Sequence, residues 1–229
     1  MTDTSPASDY TASGSPANIE IGPRWQRPES AILERFADAS TANVGDALGR
    51  LGMPDGGIAA LWDGCRAVGS ALTVLAVAGD DLAVIEAVGH VQAGDFVIVN
   101  GFGYLGRAVM GDLLARMFHS RGAVGAIVDG AVRDRDEIRR LGFPIWSRAV
   151  VPAGPWKNGP GAIGGPVAIG GVVVHAGDIV VADSDGITAV PQCRAMDVAT
   201  ELARVLESES RIRSHIVNGA TDHLTATTS

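Results

Sequence analysis

Apolar residues change their period along the chain, and the changes divide it into elements. Ile32, Leu33 and Phe36 share one helical face. Val44 and Leu48 repeat that spacing in a second helix over 42–51, with Thr41 placed to cap it. After the turn at Gly56-Gly57, residues 65–77 carry Ala67, Val68, Ala71, Leu72, Val74, Leu75 and Val77. So continuous an apolar run predicts a buried strand pair. Leu82, Ile85 and Val88 return to helical spacing over 80–90, and Gly94-Asp95 turns the chain into a strand over 96–99. A glycine-rich loop over 100–106 leads to a helix that ends near Arg121-Gly122, with Leu114, Met117 and Phe118 inward. A strand at 126–128, a turn at Asp129-Gly130, a helix from about Arg133 to Leu141 and a strand over 144–150 follow. This alternation implies a parallel core. Beyond it come short strands at 167–169, 172–174, 179–182 and 187–190, separated by glycine turns, and a long helix over 193–217.

Composition sets the limits of this reading. Residues 1–26 are rich in Ser, Thr, Ala, Pro and Asp and are expected to be a flexible tail, as are residues 220–229. One folded domain over 27–219 remains. With 30 glycines, 46% hydrophobic and 5% aromatic residues, the chain reads as α/β and not as a helical bundle. The net charge is -8, and the basic residues form no stripe, which disfavours nucleic acid as a partner. Cys65 and Cys193 make neither a disulfide framework nor a zinc pattern, and are read as buried thiols in a reducing compartment. The N-terminal residues lack the pattern of a secretory signal, and no apolar stretch reaches the ~20 residues that span a bilayer. The expectation is a cytoplasmic protein with no membrane partner.

Two segments carry candidate chemistry. Asp129-Gly130-Ala131-Val132-Arg133-Asp134 follows an apolar strand and opens a helix, where α/β sheets collect ligands. There Arg133 could grip a carboxylate and Asp134 a divalent cation; equally, Asp134 could favour its helix dipole and Arg133 pair on the surface. The loop Asn100-Gly101-Phe102-Gly103-Tyr104-Leu105-Gly106 leads into Gly111-Asp112-Leu113-Leu114 and reads as an anion cradle. It lacks the Gly-Lys-Ser/Thr ending of a P-loop, and its match to dinucleotide spacing comes without the acidic residue expected after the next strand. If the two segments face one another, Asp112 and Asp134 could share a cation beside Arg133. The five histidines are dispersed and read as structural or exposed. Lys157 lies in a turn-rich loop, where solvation is the simplest reading, and Asp183-Ser184-Asp185-Gly186 reads as a turn between strands.

An Asp, twenty intervening residues and Arg-Asp, here Asp112 and Arg133-Asp134, together with Thr41-Ala42-Asn43-Val44-Gly45-Asp46-Ala47-Leu48, Gly94-Asp95 and Gly177-Asp178, resemble the RraA-like family. That family includes class II aldolases for 4-hydroxy-4-methyl-2-oxoglutarate and 4-carboxy-4-hydroxy-2-oxoadipate. The resemblance covers about Ala31 to Gly219. It implies a swivelling β/β/α sandwich with a mixed, partly parallel central sheet. It also implies a trimer or hexamer with active sites between subunits. Gly111, Asp112, Leu113 and Leu114 would cradle a pyruvyl carboxylate, largely through backbone N–H groups. Arg133 would contact the same unit. Asp134 would bind Mg2+, Mn2+ or another divalent cation, with Asp112 acting through water. Lys157 falls where a substrate-contacting lysine is expected, and Glu209, with Glu207 the alternative, where a neighbouring subunit lends a carboxylate. The implied activity is cleavage of a 4-hydroxy-2-oxo acid to pyruvate and a second oxo compound, with oxaloacetate decarboxylation alongside. A branch of the family that regulates a ribonuclease lacks the first acid of the Asp…Arg-Asp pattern, and a non-enzymatic regulator is the alternative reading. Methyl transfer to a quinone finds no methyl-donor motif in this chain.

Overall fold

A computed structural model describes residues 18–217. Its first half follows the expected alternation. β1 (Ile19–Ile21), α1 (Ser30–Glu34) and α2 (Thr41–Ala47) precede β2 (Ala59–Ala60) and β3 (Ala67–Ala76). Then come α3 (Leu82–Ala87), β4 (Asp95–Asn100), β5 (Ala108–Met110) and α4 (Asp112–Ser120). β6 (Gly125–Val132), α5 (Arg135–Leu141), β7 (Ile145–Val150) and β8 (Gly161–Ile163) complete this part. The second half holds β9 (Val167–Ile169), β10 (Val172–Val174), β11 (Ile179–Ala182), β12 (Ile187–Val190) and α6 (Ala195–Val217).

The central sheet runs β1-β8-β3-β4-β6-β7-β2 and is mixed. The pairs β3–β4, β4–β6 and β6–β7 are parallel, while β3–β8, β3–β11, β11–β12 and β2–β7 are antiparallel. Alternation along β4 divides the core: Val97 and Val99 face one layer with Leu72, Leu114, Phe118 and Ile138. Phe96 and Ile98 face another, with Ile127, Trp146, Val167, Ile169 and Val180. A third cluster joins Phe36, Val44 and Leu48 to Ile179, Val181, Val198 and Leu202, packing α2 and α6 on β11 and β12. The expected β/β/α sandwich is the observed architecture.

Local readings differ in instructive places. The run over 65–77 is one strand, not two. β3 presents one edge to both β11, through Ala67 to Ser70, and β8, through Val74 to Ala76, so it is buried on every side without a hairpin. Asp129-Gly130 is no turn: β6 runs through it with an irregularity between Val128 and Ala131, and α5 begins only at Arg135. Ser40, one residue before Thr41, caps α2 by accepting from Asn43 N–H. Of the tail expected over 1–26, the described part is folded. Ile19 is buried in β1 and Trp25 packs on the core; just beyond, Arg27 grips the buried Asp95 carboxylate at 2.7 and 2.8 Å. Too few apolar positions mark this segment for a period to be read. Residues 1–17 and 220–229, expected as tails, and 218–219, expected as the end of the domain, lie outside the described residues. Of the two cysteines, Cys65 is buried, which pushes its thiol pKa up, whereas Cys193 is exposed, contrary to expectation. Among the described residues no helix is long and apolar enough to cross a membrane.

Candidate functional site

The strand β5 brings the two chemical segments together. It pairs in parallel with the end of β6, Ala108 opposite Ala131 and Met110 opposite Val132. Arg133 N–H donates to Met110 O at 3.0 Å. Gly111-Asp112 and Arg133-Asp134 therefore leave the sheet side by side, at the carboxyl ends of parallel strands. The Asp134 carboxylate turns back across this gap. Its Oδ2 accepts from Asp112 N–H at 3.2 Å and ion-pairs with Arg133 Nε at 3.3 Å.

Both sides of the gap are built for close approach. A Cβ on Gly111 would lie 2.5 Å from Asp134 Oδ2 and 3.0 Å from Arg133 side-chain atoms, so only glycine leaves room for the carboxylate. Asp134 has φ 60° and ψ 38°, a left-handed conformation that costs a non-glycine residue on the order of 1 kcal/mol and concentrates at functional sites. The Asp112 carboxylate pairs with Arg116 at 3.3 Å. Leu114 is buried in the core, so only its backbone can serve the site, while the Leu113 side chain is exposed. Asp112 N–H is spent on Asp134, whereas the Leu113 and Leu114 N–H groups of the same first turn have no intrahelical acceptor and suit an anion.

A strap over 151–160 roofs this corner. Val151 N–H donates to Val132 O, Ala108 N–H to Ala153 O, and Arg107 to Gly154 O, at 2.9, 2.9 and 2.7 Å. Arg107 also stacks on Trp156, 4.0 Å from the ring centroid. A Cβ on Gly154 would meet Arg133 Nη1 at 2.9 Å, so the strap packs directly on that guanidinium. Trp156 exchanges backbone bonds with Gly79 and Asp81, at 2.8 and 2.9 Å. Lys157 follows, and its Nζ stands 3.7 Å from Asp81 Oδ2. Burial pushes the Asp81 carboxyl up to about 6; Lys157 and, more weakly, Arg133 oppose the rise, and Asp80 adds to it. Lys157 and Arg133 thus border one patch with Asp81 between their fields.

Asp81 is not among the residues singled out from the sequence, where it falls in the helical stretch over 80–90. The usable signal was its place in Asp80-Asp81, ahead of an apolar helix, in a chain whose only lysine is Lys157. Asp129 and Arg148 were likewise missed. Arg148 spans Asp55 and the buried Asp129, whose Oδ2 accepts Gly170 N–H at 2.8 Å, and this ties the loops at Asp55 and Gly170 to β6 and β7. The paired guanidinium holds Asp55 below the usual carboxylate range. The loop 100–106 is not an open anion cradle. Gly101 and Gly103 N–H both donate to Asp129 O at 3.0 Å, Phe102 N–H to Asn100 Oδ1 at 2.7 Å and Tyr104 N–H to Gly101 O at 3.1 Å. Gly101 and Gly103 serve a tight turn over β6, and the donors of residues 101–104 are spent.

Glu209 does not join the group within its own chain. On α6 it accepts from Asn43 Nδ2 at 2.6 Å and pairs with Arg213 at 2.8 Å. Glu207 is no closer to the group by any contact.

Among the described residues no three His, Cys, Asp or Glu side chains gather as a metal cage. The donors present are the oxygens of Asp134 and Asp112, and the Gly111 cradle leaves space at Asp134 that any side chain would fill. That set fits magnesium or manganese, which take one or two carboxylates and keep several waters.

The family profile described as Aldolase/RraA matches residues 41–189. A protein of Halalkalibacterium halodurans, provisionally named a 4-hydroxy-4-methyl-2-oxoglutarate aldolase, is 32% identical over 83% of this chain and 90% of its own length. A Thermus thermophilus protein of the same name, without that qualification, is 33% identical over 52% of this chain and 72% of its own. Among solved structures, Streptomyces coelicolor RraAS2, described as an unusual member of the RNase ES inhibitor RraA protein family, superposes with a TM-score of 0.74. It is 32% identical and covers 83% of this chain and 99% of its own. The Asp112–Arg133–Asp134 corner stands inside the matched span, and the chain belongs to the RraA-like family.

Proposed function

We propose that this protein is a divalent-metal-dependent aldolase that cleaves a 4-hydroxy-2-oxo acid into pyruvate and a second oxo compound, with oxaloacetate decarboxylation as a side activity. The observation that carries the reading is Asp134 Oδ2 shared between Asp112 N–H and the Arg133 guanidinium, at the ends of two parallel strands. The names of two relatives point the same way.

In such a cleavage the proton leaves the 4-hydroxyl, the C3–C4 bond breaks, C4 becomes a carbonyl, and C3 later takes a proton to give pyruvate. Negative charge collects on the 2-oxo oxygen while the bond breaks. Arg133 lies where it can neutralise that charge, and a preorganised cation in a partly dry corner does so at little reorganisation cost. The backbone N–H groups at the start of α4, with Lys157 opposite, suit the substrate carboxylate. Asp112, paired with Arg116 at 3.3 Å, would hold the 4-hydroxyl proton through water. Asp134, with Asp112 alongside, would hold Mg2+ or Mn2+, which supplies Lewis acidity toward the pyruvyl unit. Glu209 of a neighbouring subunit, in a trimer or hexamer, would complete the site.

The direct test is pyruvate release from 4-hydroxy-4-methyl-2-oxoglutarate with magnesium. The reading expects activity that EDTA abolishes, and survival of that activity when borohydride is added with pyruvate. A stable lysine adduct would contradict it. The 32% identity to RraAS2 supports a second reading, a ribonuclease regulator without chemistry. No EDTA-sensitive pyruvate release, with binding to a ribonuclease, would favour that one.

A further inference from the structure

Two adjacent aspartates, both buried, open α3, and they are treated very differently. Asp80 is fully engaged: Oδ1 accepts from Leu82 and Gly159 N–H at 3.0 and 3.1 Å, and Oδ2 from Asn158 N–H at 2.6 Å. It staples the strap to the helix. No backbone N–H other than its own bears on the Asp81 carboxylate. Asp81 occupies the cap position of α3 without capping it, its side chain is 1% exposed, and its Oδ1 has no hydrogen-bond partner. Oδ2 faces the Lys157 ammonium at 3.7 Å.

A buried carboxylate left half satisfied is costly, and asparagine or leucine would fit the same space at lower cost. A role in holding the fold does not explain it, because Asp80 and the backbone bonds of Trp156 already fix the strap. A role in touching substrate does not explain it either, since the side chain is sealed from solvent. The path that remains runs through Lys157, whose side chain is 23% exposed and so has one side on the buried carboxylate and another on solvent. The groups that act on Asp81 from the surrounding elements are Lys157 on the strap, Arg133 beyond β6 and Asp80 beside it.

We propose that Asp81 is a positioning residue: it anchors the Lys157 ammonium from beneath, so that the chain's only lysine meets the substrate carboxylate in one orientation. This rests on the proposed activity for its consequence, but not for its geometry. The isosteric change Asp81→Asn keeps the shape and removes the anchor. Turnover of oxaloacetate with magnesium is expected to show KM raised about tenfold and kcat changed less, because ground-state carboxylate binding is what a loose lysine loses. In a Lys157→Ala background the same change is expected to cost nothing, since the partners act as one unit. A purely structural Asp81 would cost the same in both backgrounds, and that result would overturn the proposal. A second reading needs no activity. Trace acetylation with acetic anhydride, scored by mass spectrometry against the N-terminal amine, is expected to label Lys157 several-fold faster in Asp81→Asn. If the wild-type protein turns over no oxaloacetate, the proposed function falls and the labelling alone decides: faster acetylation upholds the anchor, and an unchanged rate overturns it.

Discussion

Gly111 shows how much a single residue can decide. Its backbone is extended, so alanine fits the local conformation, yet the added Cβ would press on Asp134 Oδ2 and Arg133. Gly111→Ala is therefore expected to keep stability within about 1 kcal/mol while lowering kcat/KM by roughly 10- to 100-fold, because misplacement of a reacting group by about 1 Å costs that much. Thermal melts and steady-state kinetics on the same sample check it; full activity would show that the Asp134 placement is unimportant. Asp81 makes a stability prediction of its own. Its folded value of about 6 lies above the ordinary 3.8, so the native state holds the proton more tightly than the unfolded chain does. The resulting stabilisation is complete below the unfolded value and is lost as pH rises through about 6. Between pH 4 and pH 7 the penalty grows to roughly 3 kcal/mol at 1.36 kcal/mol per unit. Asp81→Asn escapes it, so denaturant midpoints should show the variant gaining on the wild type across that range.

Elements differ in how plainly the chain announces them. The strands β4, β6 and β7 and the helices α4 and α6 were legible because each carries a sustained period or an unbroken apolar run. The short strands β2, β5 and β8 were not: Ala59-Ala60, Ala108-Val109-Met110 and Gly161-Ala162-Ile163 lack the runs of β-branched residues that marked the equally short β9 and β10, and their pairing is imposed by neighbours distant in sequence. β5 mattered most, since the site exists only because it lies beside β6. Asp129-Gly130 misled for the opposite reason. Turn-forming residue types stand inside a strand, where Arg148 satisfies the buried carboxylate and glycine permits a bulge. Asp183, read as part of a turn, also fastens α2, by accepting from Thr41 N–H at 2.8 Å and from its hydroxyl at 2.7 Å. Burial raises its pKa, but the Thr41 and Asp185 hydrogen bonds win and lower it. Asp183→Ala should cost about 1–2 kcal/mol near neutral pH. For the wild type this contribution is lost as pH falls through the lowered folded value. Chemical denaturation at pH 7 and in mild acid measures both effects.

At the scale of the whole molecule, the sandwich places its chemistry at one corner of a mixed sheet and leaves Glu209 elsewhere, on α6 against Asn43. The spacing of Asp112 from Arg133-Asp134 was legible in sequence as a pattern; its cause, two parallel strands ending together, was not. What the corner offers is a shared carboxylate oxygen, a guanidinium, an ammonium seated on a buried acid, and free helix N–H groups. The measurement that tests this account most directly is magnesium-dependent pyruvate release from oxaloacetate by the wild type, Asp134→Ala and Arg133→Ala, each verified as folded. The account expects wild-type activity that EDTA removes and excess magnesium restores, with each variant at least about 100-fold slower, as the loss of one preorganised charge contact implies. Wild-type rates in either folded variant, or pyruvate release indifferent to EDTA, would contradict it.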